Sequence, residues 1–97
     1  MKYRLLRPAL RELQEAAKFY ENRAPGLGFE FQIEIRATIR RILGNPRGWA
    51  SLDREIRRCR TRRFPYAIIY TVDREDILII SVMHLRRHPD SWRRNLP

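Results

Sequence analysis

The sequence is poor in several residue types, and each scarcity narrows its chemistry. A single cysteine, Cys59, among 97 residues excludes an internal disulfide framework and fits a reducing compartment. Histidine occurs only at His84 and His88, with no paired cysteine or third ligand nearby, so neither a metal site nor a cofactor is expected. Four glycines, no internal repeat and no Ser/Gly tract leave nothing that reads as a linker. A single domain over residues 1–97 follows, since separate cores usually need about 100 residues each. No apolar run approaches the roughly 20 residues of a membrane span. The opening MKYRLLRPALRE has no signal-peptide core, because Arg7 follows directly on Leu5 and Leu6, and a cytoplasmic location is expected. Lysine is nearly absent as well, with Lys2 and Lys18 its only occurrences.

Arginine takes its place. It supplies nineteen of the 21 cations, which face 11 Asp and Glu for a net charge of +10. Guanidinium pairs bidentately with phosphate and carboxylate where ammonium acts as a point charge, so the bias points to a polyanionic partner. The two halves each carry +5, yet the charge is clustered. Residues 54–63 (REIRRCRTRR) hold six arginines and one glutamate, and residues 86–94 hold four arginines and one aspartate. With 33% charged and 43% hydrophobic residues, the chain is still suited to a packed globule.

Periodicity supplies the elements. Tyr3–Leu6 is a short extended opening. Pro8 suits the first turn of a helix, in which Leu10, Leu13, Ala17 and Tyr20 recur at helical steps until Pro25-Gly26. Phe29, Phe31, Ile33 and Ile35 alternate with polar residues as a strand would. Phe31, Ile35, Ile39 and Ile42 also form a helical stripe, and one helix over 28–43 accounts for the whole run up to Gly44-Asn45-Pro46. Residues 45–53 read as a loop and Glu55–Phe64 as a basic strand. Ala67–Val72 and Ile77–Val82 are β-branched runs joined by the polar turn Asp73–Asp76, a hairpin, and Asp90–Asn95 suits a last helical turn. The order β-α-α-β-β-β predicts an α+β layer fold, with two N-terminal helices on one face of a small, largely antiparallel sheet of about four strands.

The stretch RRFPYAIIYTVDREDILIISVMHLRRHPDSW, residues 62–92, resembles the C-terminal half of the RelE/ParE family of bacterial type II toxins. Its markers are Arg63-Phe64-Pro65-Tyr66 leading into a strand, then an acidic turn and a second apolar strand. His84, Arg86, Arg87, Pro89 and Trp92 follow. The front half is similar too, in Ala24-Pro25-Gly26-Leu27-Gly28, the helix containing Glu34-Ile35, and Asn45-Pro46. The resemblance implies a toxin of a toxin–antitoxin pair, of the kind linked to plasmid stabilisation and neutralised by a cognate ParD-like or RelB-like antitoxin. ParE-like members poison DNA gyrase, whereas RelE-like members cut mRNA in the ribosomal A site.

Two sites follow. Arg57, Arg58, Arg60, Arg62 and Arg63 form a basic strand for target or antitoxin. On a regular strand Arg58, Arg60 and Arg62 would share one face at intervals of roughly 7 Å. The plain alternative is an edge strand made basic to prevent sheet-to-sheet pairing. Arg86, Arg87 and Trp92 form the second site. RelE-like nucleases place an arginine after the last strand and a tyrosine six residues later, the spacing of Arg86 and Trp92. In a metal-independent nuclease Arg86 and Arg87 would stabilise the phosphorane, with His84 or His88 as proton acceptor. Ala67 stands where such enzymes commonly have arginine, and Trp92 can stack but cannot accept a proton. The resemblance therefore favours a ParE-like protein that docks on gyrase over a ribosome-dependent nuclease. A basic nucleic-acid-binding module without toxicity is the further alternative. Glu12 and Glu15 read as a solvated helix face, His84 as a structural residue, Cys59 as incidental, Trp92 as core and Trp49 as either core or partner anchor.

Overall fold

A computed structural model describes residues 1–97. Strand β1 (Tyr3–Leu5) leads into helices α1 (Arg7–Arg23) and α2 (Leu27–Gly44). Strands β2 (Ala50–Asp53), β3 (Ile56–Arg60), β4 (Tyr66–Asp73) and β5 (Asp76–His84) follow, and a 3-10 turn (Ser91–Asn95) closes the chain. The five strands form one sheet in the order β1-β5-β4-β3-β2, antiparallel except that β1 runs parallel to β5. The expected α+β fold and element order are present. No helix is long and apolar enough to cross a membrane.

Local chemistry explains the two helices. Pro8 sits in the first turn of α1, where its missing N–H leaves no intrahelical bond unmade. Pro25 disfavours helical backbone at the residue before it, and Ala24 is extended at φ −159°, ψ 135°. Gly26 then takes φ +85°, a left-handed turn that suits glycine. The Glu21 carboxylate of α1 accepts the Gly26 and Gly28 N–H groups at 2.9 and 3.1 Å, capping the start of α2 with a negative charge. In α2 the helical stripe prevails over the alternation: Phe31, Ile35, Ile39 and Ile42 are buried, whereas Phe29 and Ile33 are 63% and 47% exposed.

The sheet departs from the sequence expectation in two places. Residues 50–53 form a fifth strand rather than loop, because β3 supplies partners for Ala50, Ser51 and Asp53. Ala50, Ser51 and Leu52 are all exposed, so no buried face marks this strand in the sequence. The basic strand also ends at Arg60 instead of continuing to Phe64. Thr61 N–H donates back to Tyr66 O at 3.0 Å, and Phe64 takes φ +69°, so residues 61–65 close a tight loop. β3 is thus interior, flanked by β2 and β4, and is not an edge in need of protection.

A β-bulge divides the core. Ile69 pairs with Ser81 but Tyr70 with Ile79, which leaves Ile80 without a partner across the ladder. The extra residue shifts the alternation of β5. Ile77, Ile79 and Val82 pack with Phe31, Ile35, Ile39, Ile42, Ile68 and Tyr70 beneath the helices. Ile80 and Met83 join Ile69 and Trp92 in a second cluster, on the opposite face of the sheet. One short apolar run thereby fills both faces, and the C-terminal turn covers the second.

Candidate functional site

The two arginine clusters, far apart in sequence, meet at one end of the sheet. The β4–β5 hairpin sets Tyr66 opposite His84, and Leu85 N–H donates to Pro65 O at 2.9 Å, binding the turn after β5 to the loop after β3. Arg60, Arg62 and Arg63 arrive from one side, and Arg86 and Arg87 from the other.

The structure separates the arginines of these clusters by partner. Arg63 pairs with Glu30 of α2 at 2.8 Å and stacks over Phe64 at 4.9 Å. Arg87 pairs with Glu12 of α1 at 3.6 Å. Arg57 turns to the helix side of β3 and donates to Trp49 O at 2.9 Å. Arg93 lies over Trp92 at 4.5 Å and bridges to Asp53 and Asp90 at 3.1 and 3.4 Å. Arg58, Arg60, Arg62 and Arg86 make no ion pair. Arg58 and Arg60 share the face of β3 away from the helices, opposite Ile69 and Ala67 of β4. Arg62 does not extend that row. It lies in the 61–65 loop, where its backbone N–H and that of Arg63 donate to Glu34 Oε2.

Trp92 is 2% exposed against Ile69, Ile80 and Met83. Its surface is spent on the core, which corrects its place among the partner-contacting residues. His84 lies on the other face of the sheet, edge-on to Tyr66 at 5.0 Å, and its Nδ1 accepts the Arg86 N–H at 3.0 Å. His84, Arg87 and Tyr66 line a hollow of about 230 Å³ with Glu12, Glu15, Ala16, Phe19 and Val82. Of the residues named for a nuclease, His84 and Arg87 thus share one hollow on the helix side of the sheet, while the aromatic Trp92 is on the opposite face. Trp49, between core and surface, donates its indole N–H to Arg41 O at 3.3 Å near the end of α2.

Glu12 corrects another expectation. Its carboxylate is turned inward, 16% exposed, and Oε1 accepts Ser81 Oγ–H, Val82 N–H and the Asn95 amide at 2.9, 3.1 and 3.0 Å. The helical spacing of Glu12 gave no sign of this, because its partners come from a bulge and from the C-terminal turn. Cys59 is wholly buried. Burial pushes its thiol pKa up, although Arg41 and Arg62 pull the other way, so it is not the activated thiolate that an exposed cysteine among arginines would be.

The helices also expose apolar side chains. Leu10, Phe19, Phe29 and Ile33 are 43%, 54%, 63% and 47% exposed, all on α1 and α2. Next to Phe29 the helices come close, because Gly28 has no side chain to hold α1 away.

Comparison with known proteins agrees with this architecture. A family model described as the ParE toxin of the type II toxin–antitoxin system parDE matches residues 3–89. A chain from the chromosomal ParDE TA system of P. aeruginosa superposes with a TM-score of 0.75 at 18% identity, covering 89% of this chain and 97% of that one. That likeness is one of fold. No curated protein matches the sequence.

Proposed function

This chain belongs to the ParE toxin family of type II toxin–antitoxin systems, and on that premise we propose that it arrests growth by binding DNA gyrase until a cognate ParD-like antitoxin covers it. The observation that carries the antitoxin half is the exposed pair Phe29 and Ile33, one turn apart on α2. Apolar side chains at helical spacing suit an amphipathic partner helix laid across them. A segment that orders only on binding pays for that ordering, and its acidic residues, drawn to the arginine end, would raise the association rate and select the partner. Antitoxin and gyrase are both cytoplasmic, which is where this reading puts the chain.

Docking is favoured over catalysis by where two positions of the resemblance lie. The aromatic residue that a nuclease would stack on its base is Trp92, sealed in the core. The position where such enzymes commonly have arginine is Ala67 of β4, also buried. Purified chain is expected to inhibit supercoiling, or to trap gyrase-cleaved DNA, at stoichiometric levels. Indifference of gyrase together with A-site cuts in translated mRNA would transfer the function to the ribosome. For the antitoxin, Phe29→Ser with Ile33→Ser should weaken binding about 10-fold or more, since each exposed side chain buried is worth roughly 1–2 kcal/mol. Unchanged affinity would place the antitoxin elsewhere.

A further inference from the structure

The hollow between α1 and the end of the sheet is lined from two sides with different chemistry. One side comes from the sheet: Tyr66 of β4, Val82 and His84 of β5, and Arg87 of the turn that follows. The other is α1, with Glu12, Glu15, Ala16 and Phe19. His84 Nδ1 accepts the Arg86 N–H at 3.0 Å, so the neutral ring carries its proton on Nε2. Burial raises the pKa of the Tyr66 phenol and keeps it a hydroxyl, able to donate. Neither Tyr66 Oη nor His84 Nε2 has a partner within the molecule, and no unpartnered side-chain oxygen or nitrogen is sealed from solvent. Both are therefore open to an incoming group. Arg87, half-exposed beside Glu12, adds a guanidinium. Three donors from two strands and a turn thus border one hollow.

The rest of the lining restricts what they can hold. The volume of about 230 Å³ is below the roughly 300 Å³ at which small-molecule sites begin, and suits one side chain. Acceptors are few. Glu12 is engaged, its Oε1 by Ser81, Val82 and Asn95 and its Oε2 by Arg87, which leaves the exposed Glu15. A cationic side chain would meet Arg87 and two donors for that one acceptor. A phosphate dianion would face both glutamates, whereas a single carboxylate can be held by the three donors with less repulsion. Ala16 and Val82, both buried, and Phe19 offer apolar contact to the methylene groups behind a carboxylate. The net charge of +10 favours an acidic partner for the whole chain.

We propose that this hollow seats one carboxylate side chain from an acidic segment of the antitoxin, held by Tyr66 Oη–H, His84 Nε2–H and the Arg87 guanidinium. The identity of the partner rests on the antitoxin reading; the chemistry of the seat does not. The hollow lies where β4 begins and β5 ends, and neither Phe29 nor Ile33 lines it. It gives the antitoxin a charged anchor in addition to the apolar one on α2.

The test is an NMR titration of the full chain at neutral pH with capped peptides that stand in for such a segment. Acetyl-AAEAA-amide should shift the ring signals of His84 and Tyr66, with a Kd of about 1 mM. His88 is the only other histidine, so the imidazole signals are readily assigned. Acetyl-AAQAA-amide and acetyl-AAKAA-amide should bind about 10-fold more weakly or worse, since the charge-assisted bonds are lost. Tyr66→Phe keeps the ring and removes one donor, and should weaken the glutamate peptide about 10-fold; Arg87→Gln should do the same. If loss of signal dispersion shows Arg87→Gln to be unfolded, Tyr66→Phe and His84→Gln carry the comparison. Arg74→Gln, in the turn at the far end of the β4–β5 hairpin, removes the same charge and should leave the affinity unchanged. An equal loss from Arg74→Gln would overturn the proposal in favour of diffuse charge. Tighter binding of the lysine peptide, or unmoved His84 and Tyr66 signals at about 20 mM glutamate peptide, would overturn it as well. Butyrate is the glutamate side chain as a free acid, and its binding about 10-fold more tightly than the peptide would replace the protein partner by a small organic acid. Neither antitoxin nor gyrase is in the assay, so the failure of either in its own experiment leaves this result readable.

Discussion

Glu12 in α1 accepts a 3.0 Å hydrogen bond from the side chain of Asn95, 83 positions along the chain. The same oxygen takes the Ser81 hydroxyl and the Val82 N–H, while Asn95 also donates to Ile80 O at 3.0 Å. A bulge frees backbone groups that need partners, and here one carboxylate and one amide supply them. Helix, bulged strand and C-terminal turn are joined at this point, with Trp92 held over the outer face in consequence.

Removal of that carboxylate should be costly. Glu12→Ala leaves inward-facing donors without an acceptor, and a loss of about 2–4 kcal/mol is expected in urea unfolding. Glu12→Gln keeps a carbonyl oxygen and should lose less. A loss for the alanine variant below about 0.5 kcal/mol would mean that solvent satisfies these groups unaided.

Gly28 is required by contact rather than by backbone angle. A Cβ at this position would stand 2.4 Å from the Ala17 carbonyl oxygen and 3.0 Å from Glu21 Cβ. Gly28→Ala should therefore push α1 and α2 apart and cost about 1–3 kcal/mol, as overpacking does. Thermal unfolding measures it, and an unchanged midpoint would show that the helices slide to accommodate the methyl group.

Tyr70 predicts alkaline sensitivity. Its hydroxyl donates to Pro46 O at 2.7 Å, and burial pushes its pKa up to about 12. The unfolded value is about 10, so the folded state holds the proton more tightly. The stabilisation is complete below pH 10 and is lost as pH rises from 10 toward 12. Stability of the parent should fall across that window, and Tyr70→Phe should flatten the decline. Parallel pH profiles for the two proteins would show that other groups govern it; Tyr20 and Tyr66, raised by burial in the same direction, are the first to examine.

Cys59 offers a probe of unfolding. The thiol is buried and its pKa is raised, so a thiol reagent at pH 8 should react at a rate set by opening of the core. Labelling should be slow in buffer and rapid in denaturant. Rapid labelling of the native chain would mean that β3 opens locally.

Several features were legible in the sequence for physical reasons. Pro8, Pro25 and Asn45-Pro46 bound the helices because proline and its preceding residue restrict backbone angles locally. The β4–β5 hairpin was legible from two β-branched runs and a polar turn. β2 was not, since its pairing depends on β3 and none of its first three residues is buried. The face shared by Arg58, Arg60 and Arg62 was misjudged because strand parity was extended through a loop whose course is set by Phe64 at φ +69° and by Glu34 on a distant helix.

The sequence by itself determined the net charge of +10, the arginine clusters, the two helices and the family to which the chain belongs. Those properties are sums over composition or patterns within a few turns of chain. Tertiary structure decided which arginines remain free, because a guanidinium is neutralised by whatever carboxylate the fold brings near it. It paired Arg63 with Glu30 and Arg87 with Glu12, and left Arg60, Arg62 and Arg86 exposed without a carboxylate partner.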